Sequence, residues 1–169
     1  MIWRVSHRAD PAAAALADRH YSRQTIGSPQ FVPPGRCLVL VAGVGPGALW
    51  VTSWPFAEYT KHRWAGAWVC SLFRRDDDLL PKASDMIRQA VSATRAAWEP
   101  PPLGIVTFVD RAKVRPVMRR GAPTWGRTWE LAGFSHVGET VGGLMAWQML
   151  PSDMPPPAPA IGAQLGLLR

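Results

Sequence analysis

The chain has 169 residues, of which 47% are hydrophobic and 18% charged, with 19 Lys and Arg against 12 Asp and Glu and a formal net charge of +7. That length suits one domain, and a chain of this size buries about 70% of the surface its unfolded form exposes, so it needs neither disulfide nor metal to hold a core. The composition excludes a disordered chain, and the lack of a run of ~18 apolar residues excludes a membrane-spanning helix.

Met1 to Val5 form no cleavable apolar leader. Residues 2–5 predict a short first strand. Asp10 caps a helix with Pro11 at its first position, and the Ala-rich run that follows carries it to about His20-Tyr21-Ser22. Residues 23–36 hold Gly27, Pro29, Pro33, Pro34 and Gly35 and predict a loop. Residues 37–43 and 48–54 predict a hairpin around Gly43, Gly45 and Gly47, residues 55–65 a loop, and residues 66–74 a third strand. Ser84 or Asp85 then caps a second helix. Its apolar stripe is Ile87, Ala90, Val91, Thr94 and Trp98, and Pro100-Pro101-Pro102 ends it. Residues 103–109 are the plainest β-run, followed by Asp110.

Residues 111–121 predict a basic loop. Thr124 caps a short helix that Gly133 stops, and residues 134–138 and 144–150 predict two closing strands. Residues 1–150 form the domain and the Pro-rich 151–169 a flexible tail. A helix between two buried strands (66–74 and 103–109) implies a parallel βαβ unit within a mixed α/β sheet. Cys37 and Cys70 have no metal-ligand spacing and read as buried free thiols, and no metal is expected. Nine Trp are more than a domain this small normally hides.

The arginine excess points to an anionic partner: DNA, RNA or a phosphorylated cofactor such as coenzyme A. An arginine-rich genome is the alternative source of that excess. Arg111, Lys113, Arg115, Arg119 and Arg120 crowd one loop beside Trp125 and Trp129, a mixture that suits phosphate contacts and stacking on an extruded base. Asp110 closes the strongest strand, where open α/β sheets place ligands. The start of the second helix, with Arg74, Arg75 and Lys82 nearby, is a candidate phosphate site.

The element order resembles the GNAT acyltransferase fold. Trp129-Glu130-Leu131-Ala132-Gly133-Phe134-Ser135-His136-Val137-Gly138-Glu139-Thr140 is similar to the Y/W-x-x-A-G-F-x-x-V-G-x-T ending of many such enzymes. His20-Tyr21-Ser22, Val109-Asp110 and the Ala-Gly-Phe helix also resemble, in order, the phage Mom-type DNA-modification proteins. Another phage branch of GNAT-like enzymes acylates aminated thymidines.

The resemblance implies an acyltransferase that moves an acyl group from acetyl-CoA or another acyl-CoA to an amino group on a base in DNA. The setting would be the cytoplasm of a bacterial host cell, with a phage gene as one source. It implies His20, Tyr21 and Asp110 around the acceptor, and Ser71, Phe73, Arg74, Ser84 and Trp129 near the cofactor. Arg23, Lys113, Arg115, Arg119, Arg120 and Trp125 would lie along the DNA. One departure stands out. The glycine-rich pyrophosphate loop of GNAT enzymes is replaced by Arg74-Arg75-Asp76-Asp77-Asp78-Leu79-Leu80-Pro81-Lys82-Ala83-Ser84, without glycine. Two alternatives stay open: an ordinary small-molecule or protein N-acetyltransferase, and a non-catalytic DNA-binding module with a decayed acyltransferase fold.

Overall fold

The computed structural model describes residues 1–163. Strict alternation of apolar side chains makes the centre of the sheet. Leu40, Ala42, Ala48 and Trp50 enter one core cluster, and Val39, Val41, Leu49 and Val51 enter another. Successive strand residues point to opposite faces, so both faces of the hairpin β2 (Arg36–Ala42) and β3 (Ala48–Trp54) are buried. Around this hairpin lie β1 (Arg4–Ser6), β4 (Trp68–Arg75), β5 (Ile105–Val109), β8 (Ser135–Glu139) and β9 (Met145–Met149). The seven strands run in the order β1-β2-β3-β4-β5-β9-β8. The β4–β5 pair is parallel and every other pair in this mixed sheet is antiparallel.

The helix α2 (Ala83–Ala97) makes the crossover between β4 and β5 and buries Ile87, Ala90, Val91 and Thr94, the stripe expected from the sequence. It covers one face with α3 (Arg127–Ala132), and α1 (Pro11–Ala17) with Phe31 and Val32 covers the other. A polar chain threads the α2 side. Trp50 Nε1 donates to Thr52 Oγ1 at 2.7 Å, which leaves the Thr52 hydroxyl to donate to Thr94 Oγ1 and the Thr94 hydroxyl to donate to the Ala90 carbonyl. Each buried hydroxyl is satisfied.

Several boundaries differ from expectation. The first helix stops at Ala17, because the Asp18 carboxylate bonds forward to Arg23 Nε and Gly27 N and pulls the chain into turns. Neither Ser84 nor Asp85 caps α2. Lys82 holds that position, its carbonyl taking the Asp85 and Met86 amides, and Ser84 sits inside the first turn. Thr124 is no cap either. It belongs to a separate hairpin, β6 (Val117–Arg119) and β7 (Ala122–Thr124), built from the expected basic loop, and α3 starts after Gly126 in the left-handed region.

The expected tail is packed over residues 151–163. Met154 and Ala160 are buried, Ser92 and Arg95 bond the carbonyls of Pro156, Met154 and Pro155, and Ile161 pairs with β1. Residues 164–169 lie outside the described residues. The tryptophans also differ. Trp3, Trp50, Trp64, Trp68 and Trp147 are buried, and Trp54, Trp98, Trp125 and Trp129 are partly buried against the core.

Asp10 caps α1 as expected, its carboxylate accepting from Ala12 N and Ala13 N and from the Ser6 hydroxyl at 2.6 Å. The Ser6 hydroxyl, followed by those amides, holds the carboxyl below its usual range. A depressed acid stabilises the fold above its unfolded pKa of about 3.9 and loses that contribution as pH falls through the folded value. Asp10→Ala is expected to cost about 1 kcal/mol at neutral pH by urea denaturation, and the gap to the parent should close in acid. A gap that stays constant down to pH 2.5 would mean the cap is not electrostatic.

Candidate active site

The site begins with a bulge. β3 and β4 change register between Val51 and Thr52, which face Leu72 and Cys70 and leave Ser71 as the extra residue. A bulge bends and twists its strand. β4 pairs with β5 only over Trp68–Cys70 and Ile105–Thr107, after which β4 follows β3 to Arg75 and β5 follows β9 to Val109. Beyond Cys70 and Thr107 the two facing edges are unpaired, and a cavity of about 560 Å³ opens there. Ser71 and Phe73 line its β4 wall, Thr107 and Phe108 its β5 wall, and Tyr21 and Trp129 close it.

Residues 20–22 lean into this gap. Tyr21 Oη donates to the Phe108 carbonyl at 3.0 Å, and the Ser22 hydroxyl reaches the Ser71 carbonyl at 3.5 Å. They thus take carbonyls that a paired strand would have used. The Tyr21 oxygen also faces the Asp110 amide. Burial, then the sulfur of Cys70, push its hydroxyl up to about 12 against the pull of that amide, so Tyr21 keeps its proton at neutral pH.

His20 stacks on Tyr21 with ring centroids 4.4 Å apart, and its Nδ1 lies 2.7 Å from Ser22 Oγ and accepts from Ser22 N. Burial, then the Arg74 charge, lower its pKa to about 4, against a Phe73 main-chain bond that favours the charged form as a carbonyl does. The imidazole is neutral at pH 7 with both nitrogens occupied, so it positions Tyr21. A depressed histidine weakens the fold as pH drops from the unfolded value near 6.5 toward 4. An NMR titration is expected to find His20 neutral at pH 5.5. A midpoint above 6 would contradict this burial.

Asp110 behaves otherwise than expected for a catalytic carboxylate. Its Oδ1 accepts from Ala112 N at 2.9 Å, with Lys113 Nζ at 3.9 Å, so the side chain holds a turn, while its amide and, more weakly, its charge both act on Tyr21. Short aspartate side chains bond the amide two residues on whenever the chain turns there. Cys70 is buried and its thiol is held protonated by desolvation, and Cys37 is half-buried near Arg8.

The expected cofactor residues divide. Ser71, Phe73 and Trp129 line the cavity. Arg74 turns away to Asp76 and the Arg19 carbonyl, and Ser84 is not in the lining. Arg75 is spent on the carbonyls of Asp78, Leu80 and Pro81. Arg75 and Ala83 border the cavity, yet the stretch 74–84 fits a pyrophosphate poorly: its arginines are bonded within the chain, it has no glycine and it holds three acids.

The expected nucleic-acid residues divide too. Arg23 is an internal strut, its side chain 7% exposed, pairing with Asp18 at 2.7 Å and donating to the Ser28 and Gln30 carbonyls. Trp125 and Arg115 line the cavity. Lys113, Arg119 and Arg120 are exposed. The sequence reading missed Thr107, Phe108, Val114 and Arg127. Phe108 was traceable as the residue two before Asp110 on the strongest strand, whereas Arg127 carried no local signal.

A second cavity of about 430 Å³ lies under the 22–34 loop, lined by Gln24, Thr25, Ser28 and Gln30, and shares Ser22, Ser71 and Leu72 with the first. No helix among the described residues is long and apolar enough to cross a membrane. Compared with known proteins, the chain matches no family model, no curated protein and no solved structure.

Proposed function

We propose that this chain is a GNAT-like acyltransferase that moves an acyl group from an activated carbonyl donor to an amino group on a base in DNA. The parting of β4 and β5 beside Tyr21 carries this reading. Edge strands turn unpaired N–H groups outward, and residues 20–22 take carbonyls on these edges. The remaining amides are donors for the negative charge that develops on a carbonyl under attack.

Tyr21 is the proton donor. The amine nitrogen bonds the carbonyl carbon, the bond to the leaving group breaks, and Tyr21 protonates that group. The proton lost by nitrogen restores the tyrosine through solvent. The Asp110 amide steadies the transient phenolate. Acyl-CoA is the donor the resemblance implies. Its acyl end suits the cavity between Phe73 and Phe108, and its phosphates do not suit residues 74–84.

Two cavities that meet at Ser22 and Ser71 suit two reactants arriving separately. DNA is favoured as acceptor by the six cations and absence of acids over residues 111–127, which run along the first cavity. The test is mass spectrometry of nucleosides from plain and aminomethyl-uracil DNA incubated with the protein and acetyl-CoA. A new acyl mass in either supports the reading. Unchanged nucleosides, with small amines acetylated instead, would reject it.

A further inference from the structure

The β6–β7 hairpin stands apart from the main sheet as a two-stranded ribbon. Its strands pair Val117 with Thr124, Met118 with Pro123 and Arg119 with Ala122, joined by the two residues Arg120 and Gly121. Both joining residues have positive φ, 49° and 79°, the pattern of a type I′ turn. Such turns favour Asn-Gly, yet here the first position holds arginine, the one non-glycine residue with positive φ among the described residues. Strained backbone of this kind persists where the side chain has a task.

Alternation gives the ribbon two faces. Val117 and Thr124 line the 560 Å³ cavity. Met118 and Pro123 occupy the opposite face, with Met118 63% exposed. Around the ribbon are Arg111, Lys113, Arg115, Arg119, Arg120 and Arg127, and no acid occurs from 111 to 127. Arg111 pairs with Glu139, and Arg119 and Arg127 share Glu130, whereas Arg115 and Arg120 form no ion pair among the described residues.

Resting on the reading that the acceptor is a base in DNA, we infer that this hairpin is a finger that enters duplex DNA between the extruded base and the stack it left. The Val117 face closes the cavity over the base. Met118 with Pro123 meets the base pairs left behind, as apolar wedges do in other base-displacing geometries. Arg115 and Arg120 contact phosphates on either side of the gap. A two-stranded ribbon fits the major groove, about 12 Å wide, without the widening that the minor groove of about 6 Å would need. The complementary charge commits the surface to a polyanion, and an exposed methionine amid arginines suits a stacked duplex better than a single phosphate group.

The experiment uses the full chain without any acyl donor. The probe is a duplex carrying a 2-aminopurine–cytosine mismatch, because mispaired bases leave the stack most readily. Affinity is followed by anisotropy from ~50 to ~200 mM salt and extrusion by 2-aminopurine fluorescence. Arg115→Gln with Arg120→Asn, the second relaxing the turn, is expected to weaken binding about tenfold and flatten the salt slope by ~1.8, the value for two phosphates. Met118→Ala is expected to keep affinity within about threefold and lose most of the fluorescence rise.

Unchanged affinity and slope in the double variant, or unchanged fluorescence in Met118→Ala, would overturn the inference. So would, in a separate titration with acetyl-CoA, loss of donor binding in the double variant with duplex binding intact, which would make the hairpin a donor clamp. Arg120→Gly, which keeps the turn, repeats the charge test in a second background. Because no donor is present, failure here leaves the acyltransferase reading standing, and failure of acylation leaves the finger standing.

Discussion

Gly104→Ala is expected to destabilise the protein by at least about 3 kcal/mol, or to prevent it folding. Gly104 enters β5 with a φ of 65°, a conformation that disfavours any side chain. A Cβ there would lie 2.1 Å from the Met149 carbonyl oxygen and 3.0 Å from Leu150 Cα, both backbone atoms. No rotamer change relieves that overlap, so β9 must shift. Met149 pairs with Ile105, and the Gly104 carbonyl accepts the Trp68 amide at 2.9 Å, so one movement disturbs β5 against both neighbours. With domain stabilities of about 5–15 kcal/mol, that is a large share. Gly27→Ala is the control: its φ is 81° but nothing lies within 4 Å of its Cβ position, so it feels only the backbone cost of about 1–2 kcal/mol. Urea denaturation followed by tryptophan fluorescence separates the two. Equal losses in both variants would mean the β9 contact is unimportant. In a Gly104→Ala chain that still folds, the shift of β5 moves the Phe108 carbonyl that Tyr21 bonds, so the proposed acylation should fall more than stability alone explains.

Much of the architecture was legible because its signals are local. The apolar runs of β2, β3 and β5 need burial on both faces, and the Ile87-Ala90-Val91-Thr94 stripe has only one helical solution. Asp10-Pro11 and Gly133 act on the backbone next to them and landed where expected. What misled was chemistry that depends on distant partners. Asp18 ends α1 early only because Arg23 and Gly27 come round to meet it. Arg-Gly is not a typical type I′ pair, so the 117–124 hairpin read as loop. The proline-rich 151–163 stretch looked unpackable, yet its carbonyls meet Ser92 and Arg95. At the site, His20 and Tyr21 were named from the resemblance and both line the cavity, whereas the gap beside them arises from a bulge at Ser71 that leaves no mark in composition. Asp110 was chosen for its carboxylate, which the fold spends on a turn while its amide meets Tyr21.

If the proposed acyl transfer holds, Tyr21→Phe is expected to lower its kcat by about 10²–10³ while leaving KM within a few-fold, the range for loss of a positioned acid. The ring that packs on His20 is retained, so the cavity keeps its shape. What disappears is the hydroxyl between the Phe108 carbonyl and the Asp110 amide, and stability should fall by only about 1 kcal/mol, the net worth of one such bond. A purely structural tyrosine would show its loss in the denaturation midpoint and spare kcat at saturating substrate. The pH profile provides a second, independent reading. Because the hydroxyl is pushed up to about 12, it remains a proton donor well past the ordinary tyrosine value near 10. On the proposed reading the parent protein should therefore hold its rate to at least pH 10.5, with no descending limb near 10. The sign is that of a raised acid: stability linked to Tyr21 is present below about pH 10 and is lost as pH climbs toward 12. A phenylalanine variant with a kcat within threefold of the parent would remove Tyr21 from the chemistry, and the parting of β4 and β5 would then have to be read as a binding cleft alone.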